Sequence, residues 1–160
     1  MEKYYTTKSG FRRFVDQLKA VAERYDKIVA TNDDAADAGD NSVWHDNFAY
    51  EENQRQMHQW AQRFTEMEKI KSNMVIIDID KNPEKVKIGC KVLVYECESD
   101  IEKTNEIAGY NDGEPSLNRV SYNSPIAKAL IGAEIGEVRK LKIENNVKEM
   151  EVLDIFPLAD

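Results

Sequence analysis

At 160 residues the chain is long enough for one domain or two small ones, and too short for a large multidomain enzyme. Its 41% hydrophobic and 32% charged residues are those of a globular protein, and a net charge of −8 argues against broad gripping of nucleic-acid phosphates, so no independent DNA binding is expected. Apolar runs such as Met74–Ile77 are far too short to span a membrane, and the opening residues lack the apolar core of a signal peptide, so a cytoplasmic protein with no membrane partner is expected.

The first element is a helix. Phe11, Phe14, Leu18, Val21, Tyr25 and Ile28 recur at gaps of three and four, with Val15, Ala22 and Val29 broadening the stripe. A second helical stripe runs through Met57, Trp60, Phe64, Met67, Ile70 and Met74. The methionines in it read as core packing rather than a cofactor site. Neither helix can bury its stripe alone, so the two are expected to pack antiparallel as a hairpin.

Between them lie Asn32-Asp33-Asp34 and Gly39-Asp40-Asn41-Ser42, residues that compete with helical hydrogen bonding and favour a bend. Charge changes sign here. Residues 1–27 carry seven Lys and Arg against four Asp and Glu, whereas 33–46 carry Asp33, Asp34, Asp37, Asp40 and Asp46 with no Lys or Arg. A helix from Phe11 to about Ala38 is roughly 40 Å long, which places these acids at the tip of an arm. Such a tip suits a basic protein surface or a divalent cation. Asp33, Asp34 and Asp37 read as cap and solubility residues, and Trp44 as a ring folded back over the hairpin end.

Asp80–Glu84 marks a linker, dividing the chain into residues 1–79 and 80–160. Beyond it the hydrophobic period becomes two: Val86, Ile88, Cys90, Val92 and Val94 alternate with polar neighbours as a half-buried strand. Glu106–Tyr110 reads as a further strand and Asn111–Pro115 as a turn. Ser124 then caps a short helix with Pro125 in its first position, and Gly132 ends it by leaving at positive φ. Ile126, Leu130 and Ile131 are its expected core residues. Val138–Ile143, a turn at Asn145-Asn146, and Val147–Ile155 form a closing hairpin. The fold class is therefore α+β: a helical hairpin followed by a compact sheet domain. Cys90 and Cys97 form no CxxC pair and are expected as free thiols on opposite faces of a strand. His45 and His58 match no zinc spacing.

Several segments resemble the GreA/GreB transcript cleavage factors. The closest is Asn123-Ser124-Pro125-Ile126-Ala127-Lys128-Ala129-Leu130-Ile131-Gly132; others are Thr7-Lys8-Ser9-Gly10-Phe11, Gly39-Asp40 with Asp46-Asn47-Phe48-Ala49-Tyr50, and Val75-Ile76-Ile77-Asp78, which looks like the end of the second coiled-coil helix. The resemblance implies an antiparallel coiled coil followed by an FKBP-like domain. It implies docking on bacterial RNA polymerase, at a surface that includes Ser124, Pro125 and Ile126, with the coiled coil in the secondary channel. It implies that Asp40 and Asp46 are the catalytic acids, sharing an Mg²⁺ with the polymerase while the free protein binds no cofactor. Arg55 and Arg63, two helical turns apart, would face the nascent RNA 3′ end, with Arg12 and Arg13 as further candidates. The factor would not itself be an enzyme; it lends ligands to one.

The tip departs from the family pattern. Five residues, Asn41–His45, separate Asp40 from Asp46, three more than the family's Gly-Asp-Leu-x-Glu, and Asp46 replaces Glu. Two readings stay open on that account: a factor that stimulates cleavage of backtracked RNA, and a Gre-like secondary-channel inhibitor without cleavage. A prolyl isomerase or chaperone with a helical arm is a third, for which residues 81–160 offer Tyr95, Tyr110, Tyr122 and Phe156 as pocket aromatics.

Overall fold

The computed structural model describes residues 2–37 and 46–159, with side chains throughout except those of residues 33–37, 46 and 47. The chain divides into two compact units, one of residues Met1–Arg13 with Met74–Asp160 and the other of Phe14–Asn73. This differs from the division at 79 and 80 read from the sequence. The reason is a pair of three-residue strands, β1 (Tyr4–Thr6) and β2 (Met74–Ile76), which pair in parallel with Tyr4 opposite Met74 and Thr6 opposite Ile76. Both ends of the helical segment are thereby tied to the sheet unit. Val75 and Ile76 belong to this strand rather than to the end of the second helix. Consecutive β-branched residues favour extended backbone, and the helix stops at Ser72.

The helical unit is an antiparallel hairpin of α1 (Lys8–Asp37) and α2 (Asp46–Ser72), the first turns of α1 counting with the sheet unit. The stripe read from the sequence is the one that packs. Phe14, Leu18, Val21 and Ile28 are buried, and Phe11, Val15, Ala22, Tyr25 and Val29 are half-buried. On α2, Met57, Trp60, Phe64, Met67 and Ile70 are all half-buried. Towards the far end, Asn53 donates through Nδ2 to Asn32 Oδ1 at 3.2 Å, a polar contact that fixes the pairing of the two helices.

The sheet unit holds five strands in the order β5-β4-β3-β7-β6: β3 (Cys90–Glu96), β4 (Ile101–Ala108), β5 (Arg119–Ser121), β6 (Val138–Ile143) and β7 (Asn146–Pro157). All neighbours are antiparallel except β4 and β5. The alternation read over 86–94 becomes a paired strand only from Cys90, where Cys90, Val92 and Val94 point inward. β4 begins at Ile101, five residues before the expected start, because its first half is solvated and shows no apolar alternation. The final hairpin turns on Glu144 and Asn145, with Ile143 opposite Asn146, one residue earlier than read. Glu144 takes the left-handed conformation that such two-residue turns require.

Helix α3 (Pro125–Leu130) closes one face of this sheet. Ala127 and Leu130 are fully buried in a core with Val92, Val94, Ile107, Met150 and Val152, while Ile126 and Ile131 pack on its margin. Among the described residues one buried side-chain atom lacks a partner, Asn105 Nδ2, which points into this core from β4. No helix among the described residues is long and apolar enough to cross a membrane.

Candidate functional site

Of the two acids singled out at the tip, Asp40 lies outside the described residues, and Asp46 is the first residue of α2 with its side chain outside them. The helices that carry the tip are described. At 30 and 27 residues they measure roughly 45 Å and 40 Å, and Asp46 is the first residue of the second. Asp33, Asp34 and Asp37 fall in the last turns of α1, whose final turn holds no Lys or Arg.

Down the stem, Arg55 is 61% exposed and reaches Glu52 at 3.3 Å, one turn away. Arg63 lies over the Trp60 ring, its guanidinium carbon 5.9 Å from the ring centre. Gln59, Gln62 and Glu66 share that surface with them and line a shallow hollow, where Gln62 Nε2 donates to Glu66 Oε1 at 3.0 Å. Arg12 is exposed. Arg13 is engaged differently: Nε donates to Asp112 Oδ1 at 2.7 Å and Nη2 to Asp112 Oδ2 at 2.6 Å, across 99 residues of sequence. Asp112 is only 8% exposed. A two-pronged pair of this kind ties the first turns of α1 to the loop after β4. Asp112 reads in the sequence as an ordinary turn residue, and spacing does not connect it with Arg13. Gly10, a glycine inside a helix, was the available signal.

In the sheet unit the Ser124–Gly132 segment has the geometry its residues dictate. Ser124 Oγ accepts from the Ala127 amide at 3.3 Å, Pro125 holds the first helical position, and Gly132 leaves at φ +85°. Pro125 is exposed and Ile126 half-buried, so the cap presents a rigid apolar corner beside α3. The four aromatics considered for an isomerase pocket are divided among separate partners. Tyr110 packs on Tyr4 with ring centres 4.4 Å apart, Tyr122 meets Tyr5 edge-on at 6.3 Å, Tyr95 donates to Asp100 Oδ1, and Phe156 is exposed. Cys90 and Cys97 are both free. Cys97 lies just past the end of β3 and is exposed; Cys90 is buried, and burial pushes its thiol up, with a hydrogen bond at the Lys87 backbone only partly offsetting this. A hydrogen bond from Lys87, then one from the Asn82 amide, holds the Asp80 carboxyl below the usual carboxylate range, which pins the connection into β3.

A family described as "Transcription elongation factor, GreA/GreB, C-term" matches residues 81–157, the sheet unit without its N-terminal strand and β2. The likeness extends through the hairpin. A protein of Agrobacterium fabrum named transcription elongation factor GreA is 30% identical over 157 residues, covering 97% of this chain and 98% of the relative. The chain belongs to the GreA/GreB family. A GreA of Rhizobium etli is 29% identical over the same length. Among solved structures, the GreA factor homolog 1 (Gfh1) of Thermus thermophilus is similar at 21% identity and a TM-score of 0.45, over 96% of this chain and 99% of the other. As a GreA/GreB member the protein is a transcription elongation factor with a helical hairpin followed by a sheet domain.

Proposed function

We propose that this GreA/GreB protein docks on bacterial RNA polymerase through its sheet unit and stimulates cleavage of backtracked RNA with the acids at its hairpin tip. The carrying observation is that the match to GreA proteins runs through both helices as well as the sheet unit. Two long helices with an acid-rich sequence between them and at their facing ends support the same reading. Asp40 and Asp46 offer hard carboxylate oxygens, the donor type Mg²⁺ takes, and they are the residues that would hold it jointly with the polymerase. When bound there, Mg²⁺ supplies charge stabilisation at the attacking and leaving oxygens of phosphoryl displacement. Arg55 and Arg63 hold the phosphates of the RNA 3′ end, and Ser124, Pro125 and Ile126 form part of the docking surface. Cytoplasmic location accompanies this role, and the protein acts as an accessory to the polymerase.

The test adds the protein to stalled, backtracked elongation complexes and follows RNA length. Shortening of the RNA is expected, and the Asp40→Ala/Asp46→Ala double variant should lose at least about tenfold of the rate, the order seen when metal-site groups are removed. One specific observation favours a second reading. The three additional residues between Asp40 and Asp46 lengthen the tip, as suits a factor that occupies the secondary channel and slows synthesis. In that case RNA is not shortened and elongation by active complexes falls.

A further inference from the structure

The corner at Ser124–Ile126 is fastened to more than α3. β5 ends at Ser121, opposite Ala108 of β4, and the Ser124 amide donates to the Ser121 carbonyl at 2.9 Å, closing a turn over 121–124. The Ser121 hydroxyl joins this turn to the loop after β4. It has one proton for two acceptors, the Gly109 carbonyl at 2.8 Å and Asn123 Oδ1, and it accepts from the Asn111 amide at 3.1 Å. One half-buried side chain thus bridges the residues that follow β4 and those that precede α3. The loop it grips is itself anchored. The Tyr110 amide donates to the Tyr5 carbonyl at 2.9 Å, and the Tyr110 ring packs on Tyr4. Asp112 takes both prongs of Arg13. A Cβ on Gly109 would stand 2.6 Å from Thr6 Cα, so β1 lies directly against the loop backbone. Every residue named lies in the sheet unit.

We propose that the Ser121 hydroxyl is a positioning group for docking: it braces Asn123–Ile126 against the anchored Gly109–Asp112 loop, so that the corner meets the polymerase already in its binding conformation. The reason is the composition of the corner. Asn123 and Pro125 are exposed, and Asn and Ser side chains can bond nearby backbone in several local arrangements. A corner free to choose among these binds only in proportion to the fraction that holds the right one. Without the hydroxyl the Asn111 amide loses its acceptor, and the Gly109 carbonyl keeps only the long bond from the Asp112 amide at 3.4 Å. A corner in its binding form about a tenth of the time needs about tenfold more protein for half-saturation. Ser121 acts in this way through Ser124 and Pro125 rather than by a contact of its own.

The inference rests on the proposed docking, and the experiment keeps the two apart. The full-length parent, Ser121→Ala, Ser121→Thr and Asp112→Asn are titrated into stalled and active elongation complexes, and half-saturating concentration and maximal effect are fitted separately. In the free proteins, hydrogen exchange is followed at the Ala127 amide, whose acceptor is the Ser124 cap. Ser121→Ala should raise half-saturation about tenfold with the maximal effect within about twofold of the parent, and Ala127 exchange should quicken. Ser121→Thr keeps the hydroxyl and should stay within about threefold of the parent on both readings. Asp112→Asn loosens the loop from behind and should raise half-saturation by a smaller factor. Melting curves identify any variant that fails to fold; should Ser121→Ala do so, an unchanged half-saturation in Asp112→Asn overturns the proposal. Otherwise an unchanged half-saturation in Ser121→Ala overturns it, as does a loss confined to the maximal effect, or a Ser121→Thr variant as impaired as Ser121→Ala. A parent that neither shortens RNA nor slows synthesis overturns the functional reading instead. Ala127 exchange then still judges the brace, and equal rates in the parent and Ser121→Ala overturn it as well.

Discussion

The two units solve the burial problem in different ways. In the sheet unit, α3 and the inward faces of four strands enclose residues such as Leu130, Val92 and Met150 that water does not reach at all. In the hairpin, described burial is confined to one face of α1, and the facing residues of α2 stay half-exposed. Two helices have only each other to cover their stripes. The sheet unit is therefore dense and intolerant of change, while the hairpin is a thin stem whose outward surface is free to carry charge.

Three substitutions bear on that contrast. Leu130→Ala opens space at the centre of the dense core and should cost about 4 kcal/mol, against about 2–3 kcal/mol for Leu18→Ala, where the facing helix can settle into the gap. Denaturant unfolding checks this, with hydrogen exchange of β3 and β7 amides reporting the sheet unit and tryptophan fluorescence the hairpin, since Trp44 and Trp60 both fall in 14–73. Equal costs at the two leucines would break the contrast. Gly109→Ala sharpens it: the new methyl meets Thr6 backbone, which cannot rotate away, and about 1–3 kcal/mol should be lost. Exchange at the Ile77 and Tyr110 amides should rise in that variant before exchange in β3 does. Ser124→Ala removes one cap acceptor and should cost about 1 kcal/mol, read as a small drop in melting temperature of the sheet unit.

Much of the architecture was legible because it is periodic or punctuated. The three-and-four spacing from Phe11 to Ile28 named the buried face of α1, and Ser124, Pro125 and Gly132 bounded α3 almost to the residue. Strands β1 and β2 escaped notice because three residues are too few to show a period, and Tyr4–Thr6 finds its partner 70 residues away. The first half of β4 was invisible for a different reason, being exposed on both faces. At the candidate site, the stem, the exposed arginines and the cap were readable. The Arg13–Asp112 fork was not, since sequence spacing carries no information about ion pairs that only tertiary structure brings together. Asp40, the acid on which the proposed chemistry turns, lies outside the described residues.

The parallel pairing of Tyr4–Thr6 with Met74–Ile76 has one more consequence. The chain departs from the sheet unit and comes back to it through adjacent strands, so the helices between behave as a cassette spliced into a domain whose fold is completed on either side. Heptads added or removed in matched pairs would change the reach of the stem without disturbing the strands at its base. Reach and docking are thereby separable quantities in this architecture, open to independent tuning by evolution or by design.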